Sequence, residues 1–129
     1  MRIPQDLLDQ IVEHARRDAP NECCGLIGGR DGVATSVHAT RNVKASPLAF
    51  EMHGPEVMRI IDEIEDAGGE LAGMYHSHTR TEPYPSETDR NFARNCPGLE
   101  WVIVGLNGDE VTVRSFFIEP DGVREVELA

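Results

Sequence analysis

Apolar residues recur at helical spacing near the start of the chain, and the polar residues between them predict an amphipathic helix over about the first seventeen residues. The segment Asp18-Ala19-Pro20-Asn21 ends this helix. A second helical pattern follows Gly54, begins with Pro55 at its first position and stops at Gly68-Gly69. Each helix is therefore expected to bury one face. The apolar positions are Ile3, Leu7, Leu8, Ile11, Val12 and Ala15 in the first helix, and Val57, Met58, Ile60, Ile61 and Ile64 in the second.

Short apolar runs bounded by turn-forming residues predict the strands. Cys23–Ile27 and Val33–Thr40 flank the turn Gly28–Gly32, an order typical of a hairpin. The loop Arg80–Pro85, stiffened by two prolines, leads into a short polar helix, Ser86–Asn95. The other predicted strands are Leu48–Met52, Leu71–His78, Trp101–Leu106, Val111–Ile118 and Val123–Leu128. This mixture predicts an α+β (mixed α/β) fold, one domain over residues 1–129 with a single central mixed sheet flanked by helices.

Charge and cysteine content narrow the classes of partner and location. Acidic residues outnumber basic ones by 23 to 12, which gives a formal charge of −11. Such a surface repels nucleic-acid phosphates and anionic lipid headgroups, so we expect neither nucleic acid nor a membrane as a partner. No apolar run approaches the roughly 18 residues of a membrane span. The three cysteines, Cys23, Cys24 and Cys96, form neither a disulfide framework nor a CxxC zinc clip, which favours a reducing cytoplasm.

A candidate metal site begins with two histidines. His76 and His78 lie two residues apart at the end of a predicted strand, so their side chains point to the same face and can bind one ion. Catalytic zinc usually has three protein ligands and an open position for water, and Asp89 supplies a carboxylate from a new element. The competing interpretations are a pair of exposed strand-end histidines and an Asp89 that only caps a helix, since Ser86-Glu87-Thr88-Asp89 matches a capping box.

The remaining histidines and cysteines are expected to be structural. His14, His38 and His53 have no partner at ligand spacing, and we expect them to be surface or locally hydrogen-bonded residues. Cys23 and Cys24 are expected on opposite faces of a strand, with one of them in the core.

The spacing of the candidate residues resembles the signature H-x-H-P-x6-S-x2-D of the JAMM, or MPN-plus, metallopeptidases. The matching residues are His76-Ser77-His78-Thr79, then six residues, Ser86, two residues and Asp89. Upstream, Asn21–Gly29 looks like the first strand of that family, and Gly73-Met74-Tyr75 looks like its approach to the histidines. The resemblance covers nearly the whole chain and implies a JAMM and cytidine-deaminase-like architecture.

The resemblance also implies a role for each matching residue. His76, His78 and Asp89 match the zinc ligands. Glu22 matches the general base that takes a proton from the attacking water, and Ser86 matches the hydroxyl that steadies the oxyanion. Without the resemblance, Glu22 is an ordinary exposed glutamate and Ser86 is a helix cap.

Two positions depart from the family pattern. Thr79 stands where the family usually has proline, and Met74 stands where many members have tryptophan. Losing that proline frees a backbone N–H and relaxes φ, so the sequence specifies the path of the following loop less well than the ligands. Pro83 and Pro85 stiffen the same loop, and Tyr84 between them either contacts substrate or packs, with packing favoured.

Members of this family hydrolyse the amide that joins the C-terminal glycine of ubiquitin, or of a ubiquitin-like protein, to another amine. This short chain is similar to the stand-alone prokaryotic branch, which includes enzymes that trim ubiquitin-like sulfur carriers. The resemblance therefore implies a zinc-dependent hydrolase. Its expected substrate is a ubiquitin-like sulfur-carrier protein, cleaved after the C-terminal Gly-Gly to release a small amino acid, with cysteine the first choice.

Three alternatives stay open. The first is an isopeptidase that removes a ubiquitin-like modifier from lysines of other proteins, and the second is a non-catalytic scaffold that keeps the fold. The third is iron or manganese in place of zinc, because two histidines and a carboxylate also suit non-haem Fe(II). The oligomeric state is open as well, a homodimer included.

Overall fold

A computed structural model describes residues 1–94 and 96–128, and its helices and strands follow the order that the apolar pattern predicts, apart from one predicted strand, around one sheet. The elements are α1 (Gln5–Asp18), β1 (Cys24–Arg30), β2 (Val33–Thr40), α2 (Gly54–Asp66), β3 (Glu70–His78), α3 (Glu87–Ala93), β4 (Glu100–Asn107), β5 (Glu110–Glu119) and β6 (Gly122–Val126). No helix of the described residues is both long and apolar enough to cross a membrane.

The sheet has six strands in the order β2-β1-β3-β4-β5-β6. β3 and β4 run parallel, and every other neighbouring pair runs antiparallel. Parallel neighbours need a crossover connection, and the segment containing α3 makes it, leaving the end of β3 and returning to the start of β4. This crossover brings the beginning of α3 next to the end of β3.

Both faces of the sheet are covered, so both faces of β1 and β3 are buried. Cys23 and Tyr75 belong to the core under α1, whereas Cys24 and Met74 belong to the core under α2 and α3. The predicted opposite orientation of the two cysteines is confirmed. The expectation that only one of them is in the core is wrong, because helices pack on each side of the sheet and both thiols are fully buried.

The hairpin is confirmed, but its turn is shorter than predicted. Gly28 and Gly29 are part of β1, and only Asp31 and Gly32 form the turn, with φ of 53° and 79°. Two consecutive positive φ values suit the right-handed twist of a two-residue hairpin, and glycine adopts them without steric cost. The five-residue turn predicted from the glycines therefore overestimated the loop.

The predicted strand Leu48–Met52 is wrong. This segment has no regular structure, because its backbone bonds to a side chain instead of to a neighbouring strand. Asn42 Nδ2 donates to the Ala49 carbonyl at 3.0 Å, and Asn42 Oδ1 accepts from the Glu51 amide at 3.1 Å. An apolar run of this length does not reveal such a side-chain anchor.

The two long helices end as predicted, α1 at Asp18 and α2 two residues before Gly68. The predicted start of the first helix is wrong, because Arg2 pairs with Val33 and Pro4 is the N-cap, so α1 begins only at Gln5. The third helix is shorter at its start than predicted, because Ser86 is its N-cap rather than its first helical residue. Asn95, the last residue of the predicted helix, lies outside the described residues.

Candidate active site

The end of β3 brings two imidazole rings together. His76 and His78 alternate with Ser77, so both rings project from the same face of the strand, and both side chains are buried. Their Nε2 atoms lie 3.1 Å apart. The alternative interpretation, a pair of exposed strand-end histidines, is therefore wrong.

The first turn of α3 adds a carboxylate to the two rings. Asp89 Oδ2 lies 3.1 Å from Nε2 of His76 and 3.2 Å from Nε2 of His78. Ser86 and Asp89 also form the predicted capping box, since each backbone N–H donates to the other residue's side chain. Asp89 thus caps the helix and contacts the two histidines at the same time, and the capping box fixes the position of its carboxylate beside them.

Electrostatics in the cluster keep Asp89 charged. Burial alone would raise the pKa of the Asp89 carboxyl, but the two imidazole rings and the Ser86 amide outweigh burial and hold that pKa well below its usual range. Burial lowers the pKa of His76, which keeps this ring neutral. Burial also acts to lower the pKa of His78, but hydrogen bonds to Asp89 and to the Glu82 carbonyl raise it overall.

Glu22 lies directly before β1 and faces the same cluster. One of its carboxylate oxygens is within 4.8 Å of a ring nitrogen of both His76 and His78, and the residue is only 5% exposed. Burial raises the pKa of Glu22 to about 7, with His78 opposing this rise and Asp89 adding to it. A carboxylate that titrates near neutrality can both accept and return a proton.

The three central atoms fit a divalent cation. A tetrahedral zinc ion with bonds of about 2.0–2.1 Å holds its ligand atoms roughly 3.3 Å apart. The triangle formed by Nε2 of His76, Nε2 of His78 and Oδ2 of Asp89 has edges of 3.1, 3.1 and 3.2 Å. Glu22 offers a further carboxylate oxygen within 4.8 Å of a nitrogen of each ring, so it could join the two histidines at a metal ion or face them across one intervening water.

The neighbours of each histidine ring determine which of its two nitrogens is available to a metal ion. His78 Nδ1 lies 2.7 Å from the Glu82 carbonyl, which can only accept, so Nδ1 carries a proton and Nε2 is the nitrogen that faces His76 and Asp89. His76 stacks against Phe50 with ring centroids 4.6 Å apart and meets Trp101 edge-on at 5.7 Å. Its Nδ1 finds no hydrogen-bond partner among the described residues.

Asn42 holds the segment beside Glu22 and was not singled out by the sequence. Asn42 Nδ2 donates to the Glu22 carbonyl at 2.9 Å, and the Glu22 amide donates to the Ser46 carbonyl at 2.9 Å. Both backbone groups of Glu22 are therefore fixed. Asn42 comes shortly after a predicted strand, a common place for a turn residue, so the sequence carries no stronger signal for this role.

Thr79, at the family's proline position, also holds the segment that carries Glu22. Its hydroxyl donates to the Pro20 carbonyl at 2.8 Å and lies 3.4 Å from the Pro47 carbonyl. A side-chain hydrogen bond thus connects the end of β3 to the segment that carries Glu22. The Tyr84 ring lies edge-on to Phe116 at 5.4 Å, but the residue is 41% exposed, so it packs on one side only and the alternative of substrate contact stays open.

The other histidines lie away from the cluster. His38 bonds to Ser36 two residues away, as expected of a local partner, and His53 is exposed before α2. His14 differs from the expectation because it is buried and bonds to a distant residue, Tyr75. This contact crosses from α1 to β3, and spacing along the chain cannot reveal it.

Comparison with known proteins decides the family. Residues 4–119 match the family described as prokaryotic homologs of the JAB domain. This chain belongs to that family. The resemblance to JAMM metallopeptidases is therefore confirmed, and this JAB-family chain is an enzyme of the JAMM peptidase type rather than a scaffold.

Two curated relatives and one solved structure illustrate the match. The desampylase of Haloferax volcanii is 36% identical over 84% of this chain and 82% of its own length. The CysO-cysteine peptidase of Mycobacterium tuberculosis is 36% identical over 79% of this chain and 70% of its own length. A crystal structure of a JAB1/MPN domain protein from Archaeoglobus fulgidus aligns with a TM-score of 0.67 at 27% identity, covering 99% of this chain and 96% of that one. The predicted α+β fold of the JAMM type is confirmed.

Proposed function

We propose that His76, His78 and Asp89 bind a zinc ion, and that this enzyme uses it to hydrolyse an amide bond. The observation that carries the proposal is the triangle of two imidazole nitrogens and one carboxylate oxygen with edges of 3.1, 3.1 and 3.2 Å. Two imidazole nitrogens and a carboxylate oxygen that converge in this way offer a divalent cation three ligand atoms of suitable chemistry. The identification of zinc rests on nitrogen and carboxylate ligands in tetrahedral spacing.

Glu22 and Ser86 are proposed to carry out the proton transfer and the charge stabilisation. When bound, zinc supplies Lewis acidity to the water and to the amide carbonyl. Glu22, with its pKa raised to about 7, takes a proton from the attacking water and returns it to the leaving amine. The Ser86 hydroxyl accepts a hydrogen bond from the Asp89 amide and keeps its own O–H to donate to the developing oxyanion.

These two residues favour hydrolysis over the oxygen chemistry of an iron site. A non-haem Fe(II) centre also uses two histidines and a carboxylate, but it has no need of a titrating glutamate beside the open position. Here Glu22 is within 4.8 Å of a nitrogen of each ring, at a distance that one water spans. A hydrolytic site requires such a base.

The substrate we propose is a ubiquitin-like sulfur-carrier protein, cleaved after its C-terminal Gly-Gly with release of cysteine. The name of one relative, CysO-cysteine peptidase, supports this choice. Segments 41–52 and 79–86 both border the cluster, since Phe50 stacks on His76 and the Glu82 carbonyl bonds to His78. A tail without side chains can approach the backbone of these segments most closely. The three free thiols suit a reducing cytoplasm, where such carriers would be met.

A second candidate has its own support. The name desampylase, carried by a relative that is 36% identical, favours removal of a ubiquitin-like modifier from lysines of other proteins. Both reactions cleave the amide after a C-terminal glycine and need the same proposed residues. They differ only in the leaving amine, which is an amino acid in one case and a lysine side chain in the other.

Turnover of two substrates by the same preparation separates these candidates. A carrier with cysteine joined to its Gly-Gly end and a carrier joined to a lysine side chain are each incubated with the zinc-loaded enzyme. The proposal predicts that cysteine release has the higher kcat/KM by at least about tenfold, since discrimination by one set of contacts is worth about 1–3 kcal/mol. A faster lysine-linked reaction would establish the second candidate instead.

The assay needs a control that changes a carboxylate outside the site. Glu87→Gln is the control for Glu22→Gln. It also removes one carboxylate charge, but from an exposed position on α3 next to the helix cap. We expect this variant to turn over substrate at the wild-type rate and a chelator to abolish turnover in both proteins. If chelation leaves turnover intact, the proposed metal chemistry is wrong.

A further inference from the structure

The Glu82 carbonyl is the atom that orients the His78 ring. It accepts from His78 Nδ1 at 2.7 Å and so leaves Nε2 pointing at Nε2 of His76 and at Asp89. The Glu82 side chain is exposed and bonds to no other side chain among the described residues. The Glu82 carbonyl also accepts from the Tyr84 amide at 2.8 Å, a bond within the loop, so its position depends on the path of that loop, residues 79–86.

The path of the loop is set by Pro83, which lies against Gly105 of β4. A β-carbon on Gly105 would lie 2.8, 2.9 and 3.0 Å from Cδ, Cγ and Cβ of Pro83. These distances are shorter than carbon atoms tolerate, and the pyrrolidine ring cannot rotate away. Gly105 is also the direct cross-strand neighbour of His78 in the parallel pair of β3 and β4. The missing side chain at this position therefore leaves room for the loop beside the His78 ring.

The residue after Pro83 holds the loop from a second side. Tyr84 packs edge-on against Phe116 of β5 at 5.4 Å, and the Arg114 guanidinium lies 5.7 Å from the Tyr84 ring centroid. Because Pro83 packs on β4 and Tyr84 packs on β5, the loop has little freedom to move along the sheet. A side chain at Gly105 would push the Pro83 end of the loop outward while the Tyr84 end stays in place.

We propose that Gly105 is a positioning residue for the metal centre: the absence of a side chain there seats Pro83, and Pro83 places the Glu82 carbonyl that orients His78. This inference rests on the proposed function, because its purpose is to hold a ligand ring toward zinc. Backbone conformation is not the reason for glycine here, since Gly105 pairs regularly within its strand. The reason is space.

The test is a double-mutant cycle between Gly105→Ala and Pro83→Ala in the full chain. Zinc affinity is measured by competition with a chromophoric chelator, and the 15N shifts of the His78 ring are measured in the metal-free protein. We expect Gly105→Ala to weaken zinc binding by about 10–100-fold, as the loss of an outer hydrogen-bonding partner does, and to shift the ring away from the Nδ1–H tautomer. In a Pro83→Ala background, which removes Cγ and Cδ, Gly105→Ala should cause less than about a threefold further change.

The matched control is Gly54→Ala, where an added β-carbon meets no atom within 4 Å. This variant should bind zinc as the wild type does. Wild-type zinc affinity and wild-type ring shifts in a folded Gly105→Ala protein would overturn the inference. If Gly105→Ala does not fold, Pro83→Ala alone decides, because loosening the loop must weaken zinc binding by about threefold or more. If the wild type itself binds no zinc, the proposed function fails, and the ring shifts still show whether Gly105 orients His78.

Discussion

The two faces of the sheet each hold a buried histidine cluster, and neighbouring residues of β3 contribute to both. On the face covered by α1, His14 Nδ1 lies 2.7 Å from the Tyr75 hydroxyl and Nε2 lies 3.0 Å from Asp18. Tyr75 can donate and Asp18 can only accept, so each ring nitrogen of His14 has a partner of the right kind. This cluster is complete within the chain.

On the opposite face, the next residue of β3 begins the cluster that we propose to bind zinc. His76 and His78 turn their Nε2 atoms toward each other and toward Asp89 Oδ2, which can only accept. The same residue types therefore produce a structural hydrogen-bond chain on one face and the proposed cation site on the other. Burial of a histidine does not distinguish the two, whereas the direction of its unshared lone pairs does.

Removing one ring from each cluster gives the largest contrast. We expect His78→Ala to lose zinc and to lower kcat/KM by about ten-thousandfold or more, because the metal chemistry disappears with the ligand. His14→Ala should keep zinc and change kcat/KM by less than about threefold. Metal analysis and turnover of the same preparations measure both effects. The contrast breaks if His14→Ala loses zinc or if His78→Ala keeps it.

Glu22→Gln separates binding of the metal from use of the metal. The amide cannot accept the proton of the attacking water, so kcat should fall by about 10²–10⁴-fold while zinc content stays at the wild-type level. Metal analysis alongside single-turnover kinetics checks this outcome. A variant that loses its zinc would show instead that Glu22 is a ligand.

The cluster of His14, Tyr75 and Asp18 under α1 is expected to contribute to stability and not to catalysis. His14→Ala leaves the Tyr75 hydroxyl without its partner and creates a cavity under α1, so the free energy of unfolding should fall by about 2–4 kcal/mol. Urea denaturation measures this loss. His38→Ala on β2 is the control, since that ring has only a local partner, Ser36, and the change should cost less than about 1 kcal/mol. Equal losses in the two variants would contradict the assignment.

The smallest expected effect is on the pH dependence of the metal-free protein. The pKa of Glu22 is raised from 4.5 to about 7 by burial, so the folded state favours the protonated carboxyl. Its contribution to stability is fully present below pH 4.5 and is lost as the pH rises through about 7.

Glutamine stays neutral at every pH, which makes Glu22→Gln the reference for this effect. The variant should match the wild type near pH 4.5 and become more stable by about 1–2 kcal/mol above pH 7, a fraction of the full shift. Unfolding curves at several pH values with a chelator present measure the gap. A gap that does not change with pH would contradict the buried, shifted carboxyl.

The sequence predicted the elements that bring the site together because their signals are local. Helical spacing identified α1 and α2, and the two-residue period of β3 placed His76 and His78 on one face. The capping box likewise placed Asp89 at the start of α3. Glu22 came only from the family resemblance, because nothing near it in the chain distinguishes it from other acidic residues.

The remaining features depend on contacts between distant segments. The anchor at Asn42 replaced a predicted strand, and the bond between His14 and Tyr75 joins a helix to a strand far along the chain. The seat of Pro83 on Gly105 depends on strand register. No local pattern encodes these contacts, since each needs the sheet to be assembled first.

Anomalous diffraction at the zinc edge, from crystals grown with Zn²⁺, tests the central claim most directly. We predict one strong peak at about 2.0–2.1 Å from Nε2 of His76, Nε2 of His78 and Oδ2 of Asp89, with Glu22 outside bonding distance. A peak bonded to Glu22 in place of Asp89, a peak beside His14, or no peak between the two rings would contradict the account.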